Sequence, residues 1–135
     1  MTAALTTKGN AEGRLIGGNI GMVATTAGWA LPNLNGAILL LEAVNMYVGQ
    51  VDRHLTMLRK AGHLDGVKGV ALGQFTGYDP YRSYSILDLL RDHLQHLNVP
   101  ILGGLPLGHG NAPLSTRLGS MARLDAAFQT LTIAG

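Results

Sequence analysis

The sequence predicts an α/β domain in which helices pack on a mixed sheet and a β-hairpin closes the chain. Three observations carry that class. Two stretches, "AILLLEA" (37–43) and "GVKGVALGQF" (66–75), have the apolar content and length of buried strands. Segments of helical periodicity follow them, so the middle of the chain runs strand, helix, strand, helix, strand. The end, "SMARLDAAFQTLTIAG", alternates about a short turn, as a hairpin does.

Each element has its own signal. "GRLIGG" (13–18) is a short strand. Asn19 caps a brief helix, "IGMVATTAG", which Gly21 and two threonines weaken. "LPNLNG" is turn material before the strand 37–43. In "VDRHLTMLRKAGHL", Val51, Leu55 and Leu58 fall on one face, and Gly62 stands where a helix ends. The strand at 66–75 leads into the loop "TGYDPYRS". Ser85 and Asp88 have capping-box spacing, opening a helix with the stripe Ile86, Leu90, Leu94, Leu97 that Pro100 ends. "VPILGGLPLGHG" is a third strand running into a glycine-rich loop. The hairpin pairs 121–125 with 129–133.

Length and composition bound the answer. The 135 residues suffice for one domain with one core. Apolar residues make up 47% and charged residues 13%, which describes a folded domain and not a disordered chain. Ten basic and eight acidic residues are scattered, without the basic stripe of a nucleic-acid binder. There is no cysteine, so disulfides, thiolate metal sites and a cysteine nucleophile are excluded. No apolar run approaches a membrane span. The start, "MTAALTTKGNAEG", lacks a signal peptide's apolar region, and residues 1–12 read as a polar linker.

Two residues stand out chemically. Glu42 lies at the C-terminal end of a buried strand, and His109 follows another in "LPLGHGN". Strand C-termini of parallel sheets form the edge where ligands bind. A carboxylate and an imidazole meeting there make an acid–base pair, in which the carboxylate fixes the tautomer. Each also has a plainer reading: Glu42 as the partner of Arg53 or a helix cap, His109 as a surface loop residue. His93 and His96 are one helical turn apart, but with no third ligand in view they read as a solvated helix face, not a metal site. His54 and His63 read as exposed. Gly17, Gly18 and Gly21 lack the lysine–serine pair of a phosphate loop and read as a strand-to-helix turn. Among Ser83, Ser85, Ser115 and Ser120, none has a nucleophile-elbow context. The pair therefore lacks a nucleophile within this chain.

From about residue 13 onward the sequence resembles the C-terminal half of the LD-carboxypeptidases, serine peptidases of the S66 type. Three blocks in order carry the likeness: Gly-Gly-Asn (17–19), the apolar strand with Glu42 and the downstream Asp52-Arg53, and Gly-x-Pro-x-Gly-His (104–109). The resemblance implies a small swivelling β/β/α domain at 13–135 that supplies Glu42 and His109 to a Ser–Glu–His triad. The serine and oxyanion hole would lie on an N-terminal nucleophile domain missing here, with the active site in the cleft between the two. It implies removal of the terminal D-alanine from a murein tetrapeptide in the cytoplasm, with no metal or cofactor and with the domain inactive alone. A microcin-immunity type of the family, or a non-catalytic module binding a peptide or partner, is the alternative. Ala43 and Met46 replace acids common in the family, and Gly49 replaces a common tyrosine. The apolar surface left by the missing domain, and the frequent dimers of the family, imply a homo-oligomer.

Overall fold

A computed structural model describes residues 1–79, 81–109 and 116–134. Its elements are strands β1 (Asn10–Asn19), β2 (Ile38–Val44), β3 (Gly69–Thr76), β4 (Ile101–Leu102), β5 (Met121–Asp125) and β6 (Thr130–Ile133), and helices α1 (Ile20–Thr26), α2 (Val48–Lys60) and α3 (Ile86–Leu94). Short 3-10 turns lie at Thr2–Leu5 and Gln95–Leu97.

The six strands form one mixed sheet in the order β4-β3-β2-β1-β5-β6. β1 to β4 are mutually parallel, each joined to the next by one helix. β5 and β6 are the antiparallel hairpin. β1 serves two partners in turn. Its first half, from Asn10 to Arg14, pairs antiparallel with β5, and its second half, from Leu15 to Asn19, pairs parallel with β2.

The sheet separates two cores. On one side Leu39, Leu41, Val70 and Leu72 pack against the apolar stripes of all three helices. On the other, Leu15, Ile38, Leu40, Ala71 and Leu102 meet Leu124 and Ala126 from the region of the hairpin. Alternation along β2 divides its side chains between the two. Glu42 shares the parity of Ile38 and Leu40, so it ends the second core and not the helical one.

Local signals explain most boundaries. Asn19 Oδ1 accepts from the amides of Gly21 and Met22, which starts α1 directly from β1. Ser85 Oγ accepts from the Asp88 amide, and Asp88 Oδ2 accepts from the Ser85 amide and hydroxyl, a reciprocal cap on α3. Arg59 and Lys60 close α2 on the side favoured by the helix dipole.

Several expectations need correction. The segment 1–12, read as a polar linker, holds the Thr2–Leu5 turn, and β1 begins at Asn10. Hydrogen bonding to β5 along Asn10–Arg14 extends that strand beyond its apolar part. The third apolar strand is only two residues long, because the chain turns away at Gly103. α3 ends before Pro100, with Asn98 in the left-handed region. His93 is buried, not solvated, and His54 and His63 are half-buried.

Candidate active site

The second core ends at Glu42, which is 7% exposed. The backbone around it is irregular. Between the pairings of Leu41 with Leu72 and Ala43 with Phe75, two residues of β3, Gly73 and Gln74, oppose Glu42 alone. Such a bulge re-aims side chains at the end of a strand pair.

The loop after β4 runs on beside β3. The Leu105 amide donates to Leu72 O at 3.2 Å, and the Gln74 amide donates to Leu107 O at 2.8 Å. Leu107 is buried in the second core and anchors the loop. Two residues later His109 Nδ1 stands 3.2 Å from Glu42 Oε2. The predicted pair is therefore assembled from positions 67 residues apart. Its partners are Glu42 and His109, not Glu42 and Arg53.

Two glycines make this approach possible. A β carbon on Gly73 would lie 2.5 Å from Leu107 O and 3.2 Å from the Glu42 β carbon. One on Gly108, whose φ is +108°, would lie 2.8 Å from Glu42 Oε2. Gly73 lets the loop lie on β3, and Gly108 lets it pass over the carboxylate. Sequence reading gave neither residue this role, although Gly108 stands in the Gly-x-Pro-x-Gly-His block. A glycine inside an otherwise apolar strand was the available signal for Gly73.

The arrangement has a definite chemical sense. A carboxylate only accepts, so in the neutral ring Nδ1 carries the proton shared with Glu42 and Nε2 is left as the open acceptor. The Glu42 side chain is 9% exposed and that of His109 is 60% exposed. The carboxylate is thus shielded while the imidazole faces outward, able to exchange a proton with a group brought to it. Tyr78 lies near the same edge, its ring 6.3 Å from that of Phe75. Burial pushes its phenol above the ordinary 10.0, and the charge of Glu42 adds to the rise. A cleft of about 300 Å³, lined by Met46, Tyr47, Tyr78, Asp79 and Arg82 among others, opens between the loops that follow β2 and β3.

The other candidates fall elsewhere. His93 Nε2 lies 2.7 Å from Asp52 Oδ1, joining α3 to α2. His96 is exposed. Among the described residues no group of three His, Cys, Asp or Glu is placed to hold a metal, and no helix is long and apolar enough to cross a membrane. Ala43 is buried in the helical core, and Met46 lies over the start of α1 near Gly21. Ser83 is exposed, Ser85 is the α3 cap and Ser120 is half-buried at the start of β5. Ser115 lies outside the described residues. Another concavity, about 500 Å³ beside Trp29, Asn33, His63 and Asp65, is at the opposite end of the strands and contains neither Glu42 nor His109.

Comparison with known proteins adds three findings. The family model described as LD-carboxypeptidase C-terminal domain matches residues 12–124. A Streptomyces coelicolor protein provisionally named a carboxypeptidase is 38% identical over 127 residues, covering 93% of this chain and 40% of that protein. The murein tetrapeptide carboxypeptidase of Pseudomonas aeruginosa is 30% identical over 122 residues, covering 87% and 39%. Among solved structures, muramoyltetrapeptide carboxypeptidase from Oxalobacter formigenes superposes with a TM-score of 0.80 at 29% identity, over 93% of this chain and 45% of that one. The microcin C7 self-immunity protein MccF, in complex with glutamyl sulfamoyl guanosine, gives 0.81 at 27% identity, over 96% and 40%. The chain spans about 40% of the length of the curated relatives it matches.

Proposed function

This chain belongs to the LD-carboxypeptidase C-terminal domain family, and from that premise we propose that it contributes the Glu42–His109 half of a Ser–Glu–His triad. The observation that carries the reading is the Nδ1–Oε2 contact at the end of β2, with the imidazole facing outward. The nucleophilic serine and the oxyanion donors come from an N-terminal domain docked against this edge. The isolated domain is inactive.

The reaction is hydrolysis of the bond that joins the terminal D-alanine to a murein tetrapeptide. The serine oxygen attacks the carbonyl carbon while His109 Nε2 takes its proton. The C–N bond then breaks, and the same proton passes to the departing D-alanine nitrogen. Water, deprotonated by Nε2, attacks the acyl-serine ester; the acyl C–O bond breaks, Nε2 returns the proton to the serine oxygen, and the tripeptide leaves. Glu42 holds Nδ1–H throughout and stabilises the imidazolium. The setting is cytoplasmic recycling of wall peptides.

Exposed Tyr47 and Tyr81, on the loops that follow β2 and β3, supply apolar surface for the upstream domain, and exposed Trp29 and Phe128, toward the other end of the strands, supply it for a second copy. Sedimentation of the isolated chain tests that point: association that rises with concentration is expected, and a monomer at every concentration contradicts it.

A second reading has its own support. The structural likeness to MccF matches that to the murein enzyme, and Met46 puts an uncharged side chain in the neighbouring cleft. In a protein carrying these residues behind a serine-bearing domain, turnover of a murein tetrapeptide against that of an aminoacyl sulfamoyl nucleoside decides. Preferential cleavage of the tetrapeptide is expected. Cleavage of the nucleoside alone moves the protein to the immunity branch. Cleavage of neither, with the fold intact, leaves a binding module.

A further inference from the structure

The N-terminal segment is built into the edge that carries the candidate site. Thr2 is 3% exposed. Its hydroxyl donates to Gly73 O and accepts from the Gly104 amide, both at 2.9 Å. Two more threonines continue the seam. Thr6 Oγ1 accepts from the Gly103 amide at 3.0 Å, and Thr7 Oγ1 accepts from the Ile101 amide at 2.9 Å. Ile101 O in turn accepts from the Thr7 amide. The strap thus covers the edge of β4 and the start of the loop to His109. Gly103 has room for no side chain there, since a β carbon would lie 1.9 Å from Thr2 O.

Thr2 differs from the other two in what it reaches. The hydroxyls of Thr6 and Thr7 reach only Gly103 and Ile101. Thr2 bridges the chain just after β4 to Gly73, the bulge residue that packs against both the Glu42 β carbon and Leu107 O. One buried hydroxyl therefore ties the beginning of the histidine loop to the strand position beside the glutamate. We infer that Thr2 is a positioning residue for the Glu42–His109 pair, holding the bulge and the loop in the register that brings Nδ1 to Oε2. This rests on the reading of that pair as the acid–base half of the triad. It adds a residue that touches neither the pair nor a reactant.

The test reads the pair directly, on the 135-residue chain labelled with nitrogen-15. Long-range proton–nitrogen correlation gives the ratio of the Nδ1–H to the Nε2–H tautomer of His109. Thr2→Val keeps the shape and removes both hydrogen bonds. It is expected to lower that ratio at least threefold. Thr2→Ser, which keeps the hydroxyl, is expected to match the parent. Thr6→Val removes a bond of the same kind from the same strap without touching Gly73, and is also expected to match the parent. An unchanged ratio in Thr2→Val overturns the inference, as does an equal change in Thr6→Val, which reduces Thr2 to ordinary strap structure. Should Thr2→Val not fold, Thr2→Cys, whose thiol is a weak hydrogen-bonding group, is read by the same criteria. No turnover enters the measurement. A full-length protein that cleaves no peptide would defeat the functional reading and leave this result standing.

Discussion

Gly108 and Glu42 are so close that a β carbon on the former would lie 2.8 Å from Oε2 of the latter. The contact is imposed by the loop, which crosses the carboxylate before placing His109 beside it. Gly108→Ala meets two penalties together: a side chain at φ +108° and a clash with the group that orients the imidazole. A non-glycine residue in so sparsely populated a region costs about 1–3 kcal/mol. Displacement of the pair by a fraction of an ångström to an ångström is expected to lower turnover roughly a hundredfold in the serine-bearing full-length protein. Denaturant unfolding and kinetics on the same variant check both parts.

Gly73→Ala attacks the same geometry from beneath. The new methyl faces Leu107 O, a backbone atom, so no side-chain rotation relieves it. Overpacking of this kind is expected to destabilise the chain by about 1–3 kcal/mol. The Gln74 amide, which donates to Leu107 O, is expected to exchange with solvent faster in the variant. Amide exchange at that one position is the check.

The α2–α3 contact gives a prediction away from the site. His93 is buried, its Nδ1 has no hydrogen-bond partner among the described residues, and Nε2 meets Asp52. Asp52→Ala leaves both ring nitrogens unpaired, for an expected loss of about 1–3 kcal/mol. In a His93→Phe background the same change is expected to cost far less, because the two residues act through each other. A double-mutant cycle by urea unfolding measures the difference.

The cap on α3 predicts a pH dependence. The Ser85 amide, then its hydroxyl, hold the Asp88 carboxyl below its ordinary 3.8, with Arg91 adding a smaller pull. A carboxyl lowered by folding stabilises the native state above its unfolded pKa and loses that contribution as pH falls through the folded value. Stability is therefore expected to fall with pH below about 4, and less steeply in Asp88→Asn. Ser85→Ala removes the cap itself and is expected to cost about 1 kcal/mol at neutral pH. Thermal unfolding across acidic pH follows both.

Much of this architecture is visible in the chain because its causes are local. The unbroken apolar run 37–43 marks a buried strand, the Val51–Leu55–Leu58 spacing marks a helix face, and Ser85 with Asp88 marks a helix start. Glu42 and His109 stood out singly, as a charge at a strand end and a histidine in a glycine-rich loop, and the family resemblance joined them. What stayed hidden depends on partners far along the chain. Gly73 needs its hydrogen only because Leu107 O lies over it. His93 is buried because α2 places Asp52 against it. Asn10 begins a strand because β5, more than a hundred residues later, pairs with it. A polar opening segment gives no hint that three threonine hydroxyls will satisfy the backbone of β4 and its loop.

We propose that this domain supplies the acid–base pair of a serine peptidase. It is tested most directly by the rate of D-alanine release from a murein tetrapeptide by the full-length protein and by its Glu42→Gln and His109→Ala variants. Losses on the order of a thousandfold or more are expected in both, by analogy with other triads, with unfolding midpoints close to the parent's. Near-parental rates in either variant would contradict it.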